Sequence, residues 1–231
     1  MHLQKKEKYI VKFLKLILVG LLVSNTVLFA ESDSSTGLTL KVGTLGVGAD
    51  FTVRVFDFMN LRLGATYTPL EYDFVYKDNE SDLDMTATAD LNVFSILADV
   101  HPFGGGFRIS VGPMLNNNDF SGDFRAGTIV LHKEPFDISS GTASVDFDEL
   151  CWYFGLGYGN AIGANGNWHF AFDIGVMYQG SMDITASAVT VDPDAQSVLD
   201  RALESEIKHI EDEYEWMQFY PVISIGLSYK F

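Results

Sequence analysis

The feature that most constrains this chain is a hydrophobic period of two, sharpest in its last stretch, YPVISIGLSYKF. Ile223, Ile225, Leu227, Tyr229 and Phe231 fall on one parity, and Val222, Ser224, Gly226, Ser228 and Lys230 on the other. Alternation of this kind is the signature of a strand, whose successive side chains point to opposite faces. The same pattern recurs upstream. Leu61, Leu63, Ala65 and Tyr67 oppose Arg62, Gly64, Thr66 and Thr68, and Phe94, Ile96 and Ala98 oppose Ser95, Leu97 and Asp99. Further on, Phe107, Ile109 and Val111 oppose Arg108, Ser110 and Gly112; Trp152, Phe154 and Leu156 oppose Tyr153, Gly155 and Gly157; and Phe170, Phe172 and Ile174 oppose His169, Ala171 and Asp173.

The second face decides the class. A soluble barrel or sandwich turns its oily side inward and clothes the outside with long charged side chains. Here the second face is mainly Gly, Ser and Ala with occasional Arg, Asp and His, which suits a narrow, crowded interior. Aliphatic and aromatic residues then face lipid, and closure leaves no strand edge unpaired in hydrocarbon. The expected fold is all-β, a closed antiparallel transmembrane β-barrel, with Trp152, Tyr158, Trp168 and Tyr178 near strand ends as interfacial aromatics.

The first thirty residues agree. Lys5, Lys6, Lys8, Lys12 and Lys15 precede an apolar run that ends at Ala30 before ESDSS, the layout of a cleaved secretory signal peptide. The expected organisation is a signal peptide over 1–30, a short periplasmic segment over 31–37, and a barrel over 38–231. Removal of 1–30 takes away five of fifteen basic and one of thirty-one acidic residues, leaving ten against thirty and a net charge near −20. So acidic a chain repels nucleic-acid phosphates, and nucleic acid is excluded as a partner. The single Cys151 allows no internal disulfide.

Strand-like segments lie at 38–56, 61–77, 85–102, 107–117, 145–160, 168–180 and 218–231. Seven is odd, whereas single-chain bacterial barrels have even strand numbers. The parity of the first segment flips at Gly43 and Thr44, which marks a bulge or a turn. Eight strands are expected, with the position of the eighth left open. Short links alternate with long acidic ones, and in such barrels short turns are periplasmic and long loops extracellular. The last long loop breaks the period: Leu199, Leu203, Ile207, Ile210 and Tyr214 recur at three or four, after Asp192 as N-cap and Pro193 in the first turn. A short amphipathic helix over 193–216 follows. It is read as a solvated loop packed on the rim in preference to a lid.

With KVGTLGVGAD, LRLGATY, DVHPFGGGFRISVGPMLNNN, GLGYGNA and FDIGVMYQGS, the terminal IGLSYKF resembles small outer-membrane β-barrels of Gram-negative bacteria that carry no assigned activity. These are related in architecture to outer membrane protein W and to the transmembrane domain of outer membrane protein A. The resemblance covers 38–231 and implies an outer-membrane location, export through the periplasm and insertion by the barrel assembly machinery. Ile223, Ile225, Leu227, Tyr229 and Phe231 would then form the assembly signal. Outer-membrane lipid and lipopolysaccharide are the other expected partners, and a monomer is expected.

Candidate chemistry is sparse. Arg62, Asp99, His101, Arg108, His169 and Asp173 share the inner parity and form the expected lumen polar cluster. Lipid hydrolysis would need a Ser, a His and a carboxylate in relay, and Asp99, His101 and Ser110 are the near-grouping. An Asp99–Arg108 ion pair and a His101 that ties down the turn account for the same residues. His169 and Asp173 lack a third ligand, so no metal is expected, and no cofactor motif is present. The reading is a barrel without catalysis, structural or passing a small solute. A surface adhesin or receptor built on the acidic loops is the alternative, and a lipid-modifying hydrolase is the second.

Overall fold

A computed structural model of the chain describes residues 36–77, 82–132, 134–163 and 166–231. The stretch read as a signal peptide and most of the 31–37 segment lie outside the described residues. Among the described residues eleven strands form: β1 Thr36–Gly43, β2 Gly46–Phe56, β3 Met59–Lys77, β4 Asp82–Val100, β5 Phe107–Asn116, β6 Asp119–Leu131, β7 Glu134–Asp146, β8 Leu150–Tyr158, β9 Trp168–Tyr178, β10 Asp183–Thr190 and β11 Phe219–Lys230. One helix, α1 Gln196–Glu213, follows a 3₁₀ turn at Pro193–Ala195 in which the Asp192 side chain accepts from the Asp194 N–H at 3.1 Å. Its only fully buried side chain is Leu199.

Eight strands close an antiparallel barrel in the order β4, β3, β2, β1, β11, β9, β8 and β5, with β5 returning to β4. The eighth strand is the one hidden in the parity flip: Thr44 and Leu45 form a tight turn between β1 and β2, with Gly46 at φ 100 supplying the left-handed conformation that other residues resist. β1 has only eight residues. It fits because Gly43 pairs with Ser224, midway along β11, so the β1–β2 hairpin stops short of the outer end of its neighbour. The closing seam is interrupted as well. β4 and β5 pair at Ser95↔Met114 and again at Ala98↔Val111, and Pro113, which has no N–H to give to a ladder, lies in between.

The long acidic loops expected from sequence are largely strands. Val93↔Asn116 at the top of β5 continues in one register into Asp90↔Asp119 on β6, with Asn117 and Asn118 as the only break. Leu115↔Leu150 likewise continues into Phe120↔Val145, so β7 and β8 form one stave broken at 147–149. β10 extends the line of β9 beside β7. The segment read as 145–160 therefore joins the end of one strand to the next. Dense Asp, Ser and Gly in 116–144 and 182–217 look like loop composition, and only the pairing of β6 onto β4, of β7 onto β6 and of β10 onto β7 supplies the ladders that make them strands. The barrel wall is thus tall on the β3, β4, β5–β6, β7–β8 and β9–β10 side and low on the β11, β1 and β2 side. The tall side stands up as a half-pipe.

Leu40, Val42, Leu63, Ile96, Phe154, Leu156, Ile174, Val176, Ile223, Ile225 and Leu227 all point outward and are exposed. Soluble monomers rarely show a continuous apolar surface beyond a few hundred Å², and this one encircles the barrel. Trp152, Tyr178 and Phe219 form one row near the outer end, and Trp168 packs edge-on against Tyr229 at 5.0 Å near the other. At about 3.3 Å per residue and a tilt near 40°, Phe219 to Tyr229 spans about 25 Å, the height of an outer-membrane apolar band. The chain is an outer-membrane β-barrel.

Candidate functional site

The interior is layered. Nearest the outer rim, Leu45, Val93, Leu97, Met114, Cys151, Tyr153, Met177 and Val222 pack into an apolar plug. Beneath it lies a buried ionic network. The guanidinium of Arg62 on β3 is surrounded by three carboxylates: Asp50 of β2 at 3.3 Å, Asp99 of β4 at 2.9 Å and Asp173 of β9 at 3.2 Å. Arg108 of β5 binds both oxygens of Asp173 at 2.8 Å and donates to the carbonyl of Gly159. Lys41 of β1 closes the set on Asp50 at 2.6 Å. The Ser110 hydroxyl donates to Asp99 at 2.6 Å and accepts from Arg62 at 3.2 Å.

Three cations thus meet three carboxylates, and the network is neutral. Six strands contribute to it, so it ties opposite walls together across the axis. Local chain geometry places each member: every one sits on the parity opposite a lipid-facing residue, and glycines leave room for the guanidinium groups. A Cβ at Gly157 would lie 2.7 Å from the Nε of Arg108, and one at Gly64 would run into the Asp50 carboxylate and the Ser95 hydroxyl.

The periplasmic end is tied separately. Asn60 meets the His101 ring at 3.2 Å and donates to Asn160 at 3.2 Å, while the other His101 nitrogen meets the Gly105 carbonyl at 3.0 Å. Burial lowers the His101 pKa below the ordinary imidazole value. Arg54 donates to the Ile162 carbonyl at 2.6 Å, and Lys230 to that of Gly163 at 3.1 Å.

Of the six residues expected in the lumen cluster, Arg62, Asp99, Arg108 and Asp173 come together. His101 lies below them in the turn, and His169 faces the periplasmic end with its Nε2 at 3.2 Å from the Gly166 carbonyl. Both nitrogens of His101 are engaged away from Ser110, and the Ser110 hydroxyl donates its hydrogen bond to Asp99, so the Asp99, His101 and Ser110 grouping forms no nucleophile relay. Sequence reasoning missed Asp50 and Lys41. A signal was there: Asp50 alternates with Ala49 and Phe51, and Lys41 with Leu40 and Val42, which puts both on the inner parity. Ile223, Ile225, Leu227, Tyr229 and Phe231 line the lipid side of β11 and the residue beyond it.

No protein-family model matches the chain, and no curated protein does. Among solved structures, it is similar to Acinetobacter baumannii CarO2, with a TM-score of 0.58 and 17% identity over 85% of this chain and 98% of that one. Acinetobacter baumannii CarO is similar at a TM-score of 0.52 and 20% identity, over 84% and 97%. At these identities the likeness is one of fold.

Proposed function

We propose that the protein is a non-catalytic outer-membrane barrel whose axis is closed at rest, so that it serves as a structural anchor for an extracellular half-pipe and does not pass solutes along its lumen. The observation that carries this reading is the neutral network of Lys41, Asp50, Arg62, Asp99, Arg108 and Asp173, roofed by Tyr153 and Met114. An eight-stranded barrel has an interior about wide enough for side chains to fill. Here charges paired wall to wall fill it, and an ion entering that layer would have to displace contacts of 2.6 to 3.3 Å. The acidic surface, with lipopolysaccharide as its neighbour, suits a monomer held off its like-charged copies.

Planar-bilayer recording of the purified protein is the test. Small or absent single-channel events are expected. A steady conductance of porin size would overturn the closed-axis reading.

A further inference from the structure

The inner face of the half-pipe is apolar, although it stands above the membrane. β3 and β4 run in one unbroken register from barrel to tip, so parity carries the lumen side upward. Leu70, Ala89, Phe120, Val145 and Ile184 form one row across five strands. Tyr72, Ala87, Gly122, Ala143 and Ala186 form the next. The opposite face carries Glu71, Asp73, Thr86, Thr88, Asp123 and Thr142. A soluble rim would show the reverse arrangement, with its oily side covered.

Cover is partial. α1 packs Leu199 on Phe136, Ile138 and Ala188 at the far end. Nearer the membrane, among the described residues, Leu70 is 53% and Tyr72 is 71% exposed, and they border an open groove of about 350 Å³ with almost no polar lining. A second cavity of about 400 Å³ lies between β10 and α1, lined by Ile184, Thr185, Ala186 and Ser187 on the strand and by Asp200, Leu203, Glu204 and Ile207 on the helix.

The backbone groups of the floor are already spent in ladders on both sides of β4, β6 and β7. The middle of the floor therefore offers contact to hydrocarbon and no hydrogen bonds to a peptide, while β3 above Tyr67 and β10 each pair on one side only. On the low side the wall ends at the Thr44–Leu45 turn, and the upper edge of β11 beyond it is closed to further pairing. Thr44 Oγ1 donates to the Pro221 carbonyl at 2.9 Å and accepts from the Ile223 N–H at 3.1 Å, and Pro221 has no N–H to leave unpaired. A hydrocarbon chain can reach the half-pipe over this rim from the outer half of the membrane.

Charge selects among chains. Asp200 and Glu204 line the far cavity, and Asp and Glu dominate the whole extracellular part, so an anionic head group is repelled and a cationic one attracted. We infer that the half-pipe is a binding groove for a single-chain amphiphile with a cationic head, its chain lying along the Ala and Gly rows and its head at Asp200 and Glu204. At about 30 Å³ per small group, the first cavity takes a chain of roughly a dozen carbons. The inference rests on the half-pipe being the working part of the protein.

The test uses the mature protein in zwitterionic nanodiscs with a photoactivatable dodecylammonium probe and its dodecyl sulfate counterpart, and mass spectrometry locates the adducts. The ammonium probe is expected to label the half-pipe strands at least tenfold more than the sulfate. Gly122→Leu and, separately, Ala143→Leu fill the groove and should remove that labelling. The nearest side-chain atom to a Cβ at Gly122 is 3.8 Å away, so the first variant has room to fold. Thr142→Leu, next door on the outer face, should leave labelling unchanged. Asp200→Asn with Glu204→Gln should narrow the difference between the two probes severalfold, and an unchanged ratio would overturn the placement of the head group. Labelling that survives both groove-filling variants, equal labelling by the sulfate, or adducts confined to lipid-facing Phe154 and Ile174 would each overturn the inference. A protein that conducts steadily yet shows groove labelling would sink the closed-axis reading alone.

Discussion

Arg62→Met is the sharpest perturbation of the closed lumen. The Arg62 side chain is 6% exposed and has Asp50, Asp99 and Asp173 within 3.3 Å. Removing its charge leaves three carboxylates facing Lys41 and Arg108, one buried negative charge in excess, among side chains that are at most 12% exposed. Removing one partner from a buried ion pair costs about 3 to 5 kcal/mol, because the orphaned charge keeps its desolvation penalty and loses its compensation. At about 1.4 kcal/mol per tenfold, the folded-to-unfolded ratio should fall by two to four orders of magnitude. The assay is urea unfolding of the refolded barrel in micelles, with the folded fraction read from heat-modifiable migration on gels. The double variant Arg62→Met/Asp99→Asn restores neutrality and should recover at least half of the loss, a coupling expected of direct neighbours. A single-variant cost below about 1 kcal/mol, or a double variant no better than the sum of the two singles, would refute the argument that charge balance holds the lumen.

Arg placed at Ile174, which is 48% exposed on the lipid side, should destabilise by about 2 to 4 kcal/mol near the midplane, whereas Gly175→Arg would drive a side chain into the Phe154 carbonyl and the Tyr153 hydroxyl and block assembly; equal mild effects on unfolding midpoints would contradict the assigned faces. Thr44→Val removes the hydroxyl that serves two backbone groups at the free edge of β11 and should cost about 1 to 3 kcal/mol in the same unfolding assay, against little or no loss for Thr44→Ser. Deletion of Phe231 removes the last outward apolar position of the terminal stretch and should lower the yield of heat-modifiable protein in outer-membrane fractions, with unfolded chain accumulating in the periplasm; wild-type abundance would sink the assembly-signal assignment.

The sequence by itself determined which side of each strand meets lipid. Parity is a local property: Leu61 and Leu63 must face away from Arg62 whatever the rest of the chain does, so the inverted barrel and the inward Arg62, Asp99, Arg108 and Asp173 were legible from spacing alone. The helix was legible for the same reason, since its repeat and the Asp192 and Pro193 start signals lie within one segment. Partner choice was not. Arg62 and Asp173 lie 111 positions apart, and their meeting depends on the shear with which the barrel closes, which no short window encodes. That closure also decided that Gly43 to Gly46 is a turn and not a bulge, because β1 gains its partner only where Gly43 comes to rest against Ser224. It decided too that 119–131, 134–146 and 183–190 are strands: a stretch such as DFSGDFRAGTIVL carries weak alternation and loop-like composition, and it becomes a stave only when β4, extended beyond the rim, presents its unpaired backbone groups to it.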